Sequence, residues 1–152
     1  MLPPSNASTL QLNAASGKYL SWRTMVKPTE PVVLTASFDR LQPSDEWAPI
    51  INVCLLQSFA DQEDVCLGLM PDSDMTALRA RVTDFPEGEI RELSTSPDLE
   101  LNKPVQLQLN LSLKRVEFLV NEKLLYVYES PVAHHGLSLV CSSAICTLLN
   151  VQ

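Results

Sequence analysis

Apolar and polar residues alternate strictly between positions 105 and 111 of the chain. The apolar members are Val105, Leu107, Leu109 and Leu111, and each residue between them is a glutamine or an asparagine. Successive side chains of a β-strand point to opposite faces, so a period of two is typical of a strand that is buried on one face. The segment therefore predicts a strand in a sheet that is packed on one side.

Apolar runs of strand length recur along the whole chain and are separated by Pro, Asp, Asn, Ser and Gly, the residues that favour turns. The predicted strands are Thr9–Asn13, Lys18–Val26, Val32–Leu41, Ile50–Leu56, Val65–Met70, Ala77–Val82, Glu89–Leu93, Pro104–Ser112, Arg115–Val120, Lys123–Glu129, Leu137–Ser142 and Ile145–Val151. A dozen short strands at near-regular spacing indicate a β-sandwich or barrel. No repeat or linker divides the chain, so we expect one domain over residues 1–152, with a loose tail at residues 1–7.

The segment Arg115–Glu129 predicts a hairpin with Asn121-Glu122 as a two-residue turn. In this register Phe118 lies opposite Leu125 and Val116 lies opposite Val127, and these four side chains face the core with Val120. Glu117 then pairs with Tyr126, and Arg115 pairs with Tyr128, on the other face.

That second face is the leading candidate for a ligand site, with Arg115, Glu117, Tyr126 and Tyr128 as its residues. Aromatic rings stack on the C–H faces of sugars, and charged groups hydrogen-bond sugar hydroxyls. The alternative is that the second sheet or a loop covers this face and that the tyrosines belong to the periphery of the core.

The order of the last strands carries a family resemblance. It runs through Val105–Leu111, Val116–Asn121, Lys123–Val127, Gly136–Val140 and the closing Leu149–Val151. Over residues 31–152 the chain resembles concanavalin A-like lectin/glucanase and laminin-G-like domains, although Glu122 stands where those families usually have Gly. The resemblance implies an all-β fold, a two-sheet antiparallel jelly-roll sandwich, with ligands bound on the concave sheet or in the loops at its rim.

The formal net charge of −7 argues against a nucleic acid or an anionic membrane as a partner. Carboxylates cluster at both ends of the predicted strand Val65–Met70, namely Asp61, Glu63, Asp64, Asp72 and Asp74. They suggest an alternative function, an acidic interaction or inhibitor protein that docks on a basic partner. Calcium would suit the resembled family, but the cluster lacks the EF-hand spacing, and a solvated loop explains it better. We expect no cofactor.

Catalysis is the least favoured function. Retaining glycosidases need two carboxylates about 5 Å apart, which neighbouring positions on a strand can provide. The resembled glucanases carry Glu-x-Asp-x-x-Glu on one strand, whereas here Glu87, Glu89 and Glu92 have a different order and no central Asp. We therefore expect non-catalytic binding of a carbohydrate or a protein, in an oligomeric state that the sequence does not fix.

The cysteines and histidines give weaker signals. Cys54 and Cys66, like Cys141 and Cys146, flank predicted turns, so cross-strand disulfides fit, but buried free thiols are the favoured interpretation. Neither spacing matches a zinc site. His134-His135 predicts a surface loop. No secretory signal or run of ~20 apolar residues is visible, so the cytoplasm is the default expectation.

Overall fold

A computed structural model describes residues 7–44, 48–58, 62–72, 75–84, 89–93, 99–130 and 132–151. The described residues form the strands β1 (Ala7–Asn13), β2 (Tyr19–Met25), β3 (Val32–Leu41), β4 (Ile50–Leu56), β5 (Glu63–Pro71), β6 (Leu78–Asp84), β7 (Glu89–Leu93), β8 (Val105–Leu111), β9 (Arg115–Val120), β10 (Lys123–Glu129), β11 (Gly136–Ser142) and β12 (Ala144–Val151). In this part of the chain no helix is long and apolar enough to cross a membrane.

The strands form two six-stranded sheets. Sheet A has the order β1-β12-β3-β8-β9-β10, and sheet B has the order β2-β11-β4-β5-β6-β7. Neighbouring strands are antiparallel throughout. The predicted fold class, an all-β sandwich of two antiparallel sheets, is confirmed.

One continuous apolar core fills the space between the sheets. The four apolar residues of β8 all enter it, and none exposes more than 6% of its surface. Sheet B contributes alternate residues as well, among them Val53, Leu55, Leu67 and Leu69, all fully buried. Each such side chain contributes about 1.5–3 kcal/mol relative to an exposed position, so the alternating pattern is the main determinant of the sandwich.

The hairpin of β9 and β10 has the predicted turn but a different register. Asn121 and Glu122 both have positive φ, 48° and 69°, as a type I′ turn requires. Val120 lies opposite Lys123, and the register then shifts between Leu124 and Tyr126. The shift leaves Leu125 as an extra, bulged residue.

The bulge makes four predicted pairs wrong. Tyr126 lies opposite Phe118 and Tyr128 opposite Val116, so both tyrosines turn towards the core, while Val127 lies opposite Glu117. The rings of Tyr126 and Phe118 are 6.3 Å apart between centroids, and Tyr128 is only 8% exposed. Burial of two large rings favours this register over the regular one.

Both cysteine pairs are disulfide-bonded, so the preference for free thiols is wrong and the cross-strand alternative is right. Cys54 and Cys66 are directly opposed on β4 and β5, with their Cα atoms 4.0 Å apart. Cys141 on β11 and Cys146 on β12 are buried in the core. Because β11 belongs to sheet B and β12 to sheet A, the second disulfide joins the two sheets.

Candidate functional site

Sheet B carries a groove on the face that points away from sheet A. The residues of β4 and β5 that do not enter the core, such as Asn52, Cys54, Cys66 and Gly68, lie on this outer face by the alternation of the strands. The groove spans β2, β11, β4, β5 and β6 and has a volume of about 620 Å³. That volume is within the range of small-molecule sites.

Two cross-strand rows build the floor of the groove. In the first row, Ser138 of β11 lies opposite Cys54, which lies opposite Cys66. In the second row, Val140 lies opposite Asn52, which lies opposite Gly68, and Arg81 of β6 follows. The buried Cys54–Cys66 disulfide is therefore part of the floor, covalently joining its two central strands.

Gly68 leaves room for the side chain of Asn52 in the second row. A Cβ atom at this position would lie 2.5 Å from Oδ1 of Asn52 and 3.6 Å from Cγ of Arg81. Glycine in the interior of a strand often marks a place where another group approaches the backbone closely. Here the amide of Asn52 makes that close approach, next to the stem of Arg81.

Three buried polar atoms of this face have no hydrogen-bond partner among the described residues. They are Oδ1 of Asn52, Nε of Arg81 and Oγ of Ser138. A buried polar atom without a partner costs about 1–3 kcal/mol, and native proteins contain few of them. Two of the three atoms belong to the second row of the floor and one to the first row.

The rim carries one ion pair and an aromatic side chain. Nη2 of Arg23 lies 3.8 Å from Oε1 of Glu63, and both side chains are 31% exposed. Tyr19, at the end of the groove on β2, is 58% exposed. The groove thus combines a ring surface, hydrogen-bonding groups and charges.

The outer face of sheet A contrasts with this groove because its polar side chains bond to one another. Gln108 donates to Asn110 at 2.7 Å, and Asn110 donates to Glu117 at 3.4 Å. Arg115 forms an ion pair with the same Glu117 at 3.3 Å. This network leaves less hydrogen-bonding capacity for a ligand.

The predicted ligand site is divided between two faces of sheet A. Arg115 and Glu117 lie together on its outer face, whereas Tyr126 and Tyr128 pack towards the core. The expectation of one shared face is wrong because the bulge at Leu125 reverses the tyrosines. The alternative interpretation of the tyrosines, as the periphery of the core, describes their positions.

The predicted acidic docking cluster is also dispersed. Glu63 lies at the groove, and Asp72 accepts hydrogen bonds from Thr76 N and Oγ1 at 3.0 and 3.3 Å, which closes a turn before β6. Asp61 and Asp74 lie outside the described residues. The cluster therefore does not form one surface in the part of the protein that the structure describes.

Asp64 is a buried partner of His134 rather than a solvated carboxylate. Nε2 of His134 lies 2.7 Å from Oδ2 of Asp64. Asp64 is 7% exposed, and His134 is 1% exposed. The expectation of a surface loop at His134 is wrong, because the fold brings in a carboxylate from 70 residues away. His135 is the exposed member of the pair of histidines.

The described residues support neither a metal site nor the carboxylate pair of a glycosidase. Among the described residues, no group of three or more His, Cys, Asp or Glu side chains could hold a metal ion. Glu87 and the side chains of Glu89 and Glu92 lie outside the described part of the protein. The predictions about catalysis and calcium stay predictions.

Sequence reasoning missed the groove, although the chain contains signals for it. Asn52 interrupts an otherwise apolar strand, Gly68 lies inside another strand, and Arg81 stands between Ala80 and Val82. A polar residue or a glycine in the interior of a strand is a recognised sign of a special environment. That the three residues form one row follows only from the pairing of distant strands.

No protein-family model and no curated protein matches the sequence. Among solved structures, the chain is similar to a tetrameric galectin from the ball sponge Cinachyrella sp., at 12% identity and a TM-score of 0.60, over 87% of this chain and 99% of that one. It also matches galectin LEC-6 of Caenorhabditis elegans, at 12% identity and a TM-score of 0.49, over 93% and 95% of the two chains. Galectins have the concanavalin A-like lectin fold, so the predicted resemblance in fold is confirmed.

Proposed function

We propose that the protein is a non-catalytic carbohydrate-binding module whose ligand lies in the groove of sheet B. The observation that carries the proposal is the set of three buried polar atoms without partners, at Asn52, Arg81 and Ser138. The fold supports it, because the similar sponge protein is a galectin, and galectins are lectins.

The chemistry of these atoms fits a polyhydroxylated ligand. Oδ1 of Asn52 accepts a hydrogen bond, Nε of Arg81 donates one, and the Ser138 hydroxyl does either. Sugar hydroxyls both donate and accept, so one ligand can satisfy all three kinds of group. The exposed ring of Tyr19 at the end of the groove offers a surface on which the C–H face of a sugar can stack.

The alternative function, an acidic protein that docks on a basic partner, gains no support from the described residues. Three of its five carboxylates, Glu63, Asp64 and Asp72, make contacts inside the protein. The steep salt dependence that this function requires is a prediction that binding measurements can address.

The two disulfides bear on the compartment. Structural disulfides persist in oxidising environments and are rare in the cytosol. We therefore propose an extracytosolic environment in place of the cytoplasmic default.

Binding to a glycan array, followed by calorimetry on the glycans retained, tests the proposed function. Asn52→Ala should weaken glycan binding about tenfold, as expected for the loss of one buried hydrogen bond to the ligand. Its free energy of unfolding should be unchanged or higher, because the substitution removes a buried acceptor that has no partner. The opposite directions of the two effects separate a role in binding from a role in folding.

Asn110→Ala is the matched control, since it removes the same side chain from the outer face of sheet A. It should leave glycan affinity unchanged. Failure of the unmodified protein to bind any glycan on the array, or equal loss of affinity in both variants, would contradict the proposal.

A further inference from the structure

The charge of the groove differs in sign from that of the whole chain. The chain carries a formal charge of −7, whereas the described residues that line the groove include two arginines and one glutamate as their charged members. Arg23 and Glu63 form an ion pair, which largely neutralises both. Among the described side chains that line the groove, the remaining charge is that of Arg81.

Arg81 is half-buried in the wall of the groove. None of the ion pairs between described side chains includes it. Its Nε atom is buried without a hydrogen-bond partner in the same part of the protein. A guanidinium presents five N–H donors in a planar fork and cannot lose its charge at neutral pH, so an oxyanion is the partner that best fits it.

The side chains of Asn52 and Arg81 lie next to each other over Gly68. A Cβ atom added to the glycine would come within 3.6 Å of Cγ of Arg81 and 2.5 Å of Oδ1 of Asn52, so the amide occupies the position over the glycine. A ligand in the groove beside these two side chains meets the arginine and the amide oxygen together. The guanidinium of the arginine binds an anion, and the amide oxygen accepts a hydrogen bond from a hydroxyl group.

We propose that the groove selects acidic saccharides, with the carboxylate or sulfate oxygens of the sugar on Arg81 and a neighbouring hydroxyl on Asn52. This proposal rests on the proposed carbohydrate-binding function and names the class of its ligand. Sulfate or chloride fits less well, because neither has a hydroxyl donor for Oδ1 of Asn52 and either would leave that oxygen unpartnered.

Matched glycans test the selection. Oligogalacturonates are compared with their methyl esters, and sulfated glycosaminoglycan fragments with their desulfated forms, by calorimetry on the intact protein. In at least one of the two pairs, the acidic member should bind about tenfold more tightly than its neutral partner, the effect of one charge-assisted hydrogen bond. Preference within the first pair identifies a carboxylate as the anion, and preference within the second identifies a sulfate.

Arg81→Gln should reduce the ratio of the affinities for the acidic and the neutral glycan to about one. The affinity for the neutral glycan should change by about threefold or less, which is a smaller effect than the loss of one charge-assisted hydrogen bond. Arg115→Gln provides the same change of net charge on sheet A and should leave the ratio unchanged. Thermal unfolding of both variants verifies that the fold is retained.

The outcomes separate the two proposals. Equal binding of acidic and neutral partners, or an equal effect of Arg81→Gln on both, overturns the acidic selection and leaves carbohydrate binding standing. An equal effect of Arg115→Gln on the ratio also overturns it, since net charge would then explain the preference. Absence of binding to every glycan overturns the proposed function itself, and the selection with it.

Discussion

At the scale of single residues, the pair of Asp64 and His134 has the clearest energetic consequence. Both side chains are buried, and the tilted ring of Tyr128 lies 6.4 Å from the imidazole between centroids. A buried carboxylate is stable only while it is paired and hydrogen-bonded. His134 supplies that hydrogen bond at 2.7 Å.

We expect His134→Ala to lower the free energy of unfolding by about 3 kcal/mol, because it leaves the carboxylate of Asp64 buried without its partner. Urea unfolding monitored by tryptophan fluorescence measures this difference. His135→Ala removes the neighbouring, exposed imidazole and should change stability by about 0.5 kcal/mol or less. Similar losses in the two variants would show that the buried pair does not stabilise the fold.

Contacts between residues that are distant in the chain, such as Asp64 and His134, cannot be predicted from the sequence. The polar residues of β8 are placed correctly because their neighbours alternate within a single strand. Asp64 lies in β5 and His134 lies 70 residues further along the chain. Neither segment contains a pattern that predicts the contact with the other. The same limit applies to Asn52 and Arg81, whose proximity depends on the order of β4, β5 and β6.

At the scale of elements, the bounds of the strands are the best-predicted feature. Five strands have the predicted bounds, and the other seven differ by one or two residues at one or both ends; the five are Val32–Leu41, Ile50–Leu56, Glu89–Leu93, Arg115–Val120 and Lys123–Glu129. Apolar runs and turn residues determine these bounds locally. The sequence does not predict the bulge at Leu125, since its gain comes from packing Tyr126 and Tyr128 against the core.

The turn of the β9–β10 hairpin provides a prediction at this scale. Glu122 has a φ of 69°, a conformation that is unfavourable for a residue with a Cβ atom. Glu122→Gly should therefore raise the free energy of unfolding by about 0.5–1 kcal/mol. Lys123→Gly, one residue later within β10, should lower it by a similar amount, because glycine weakens a strand.

Thermal unfolding of these two variants gives the measurement. Asn121 is retained in both, since its side chain accepts a hydrogen bond from the Gln106 backbone at 2.8 Å. A loss of stability in Glu122→Gly would exclude the left-handed conformation of that residue.

At the scale of the whole molecule, the disulfides reinforce the sandwich in two directions. Cys54–Cys66 joins neighbouring strands of sheet B, and Cys141–Cys146 joins sheet B to sheet A. The sequence predicted that each pair was close enough to bond, because each flanks a turn. It could not predict oxidation, which depends on the compartment as well as on distance.

We expect a thiol titration of the unfolded protein to find no reactive thiol before reduction and four after it, the number of cysteines in the chain. Reduction should also lower the free energy of unfolding by about 2–4 kcal/mol for each disulfide lost. Cys141→Ala/Cys146→Ala and Cys54→Ala/Cys66→Ala, compared by urea unfolding, separate the two contributions. Four reactive thiols in protein purified without reductant would contradict the observed bonds.

The disulfide in the floor of the groove also affects the entropic cost of binding a ligand there. Cys54 and Cys66 have no rotational freedom left to lose, and the strands that carry them are paired on both sides. Immobilising a side chain on association costs about 0.5–1.5 kcal/mol, and a preorganised floor avoids most of that entropic penalty. The remaining entropic cost comes from rim side chains such as Tyr19 and from the ligand itself. A rigid ligand should therefore bind more tightly here than a flexible ligand of the same composition.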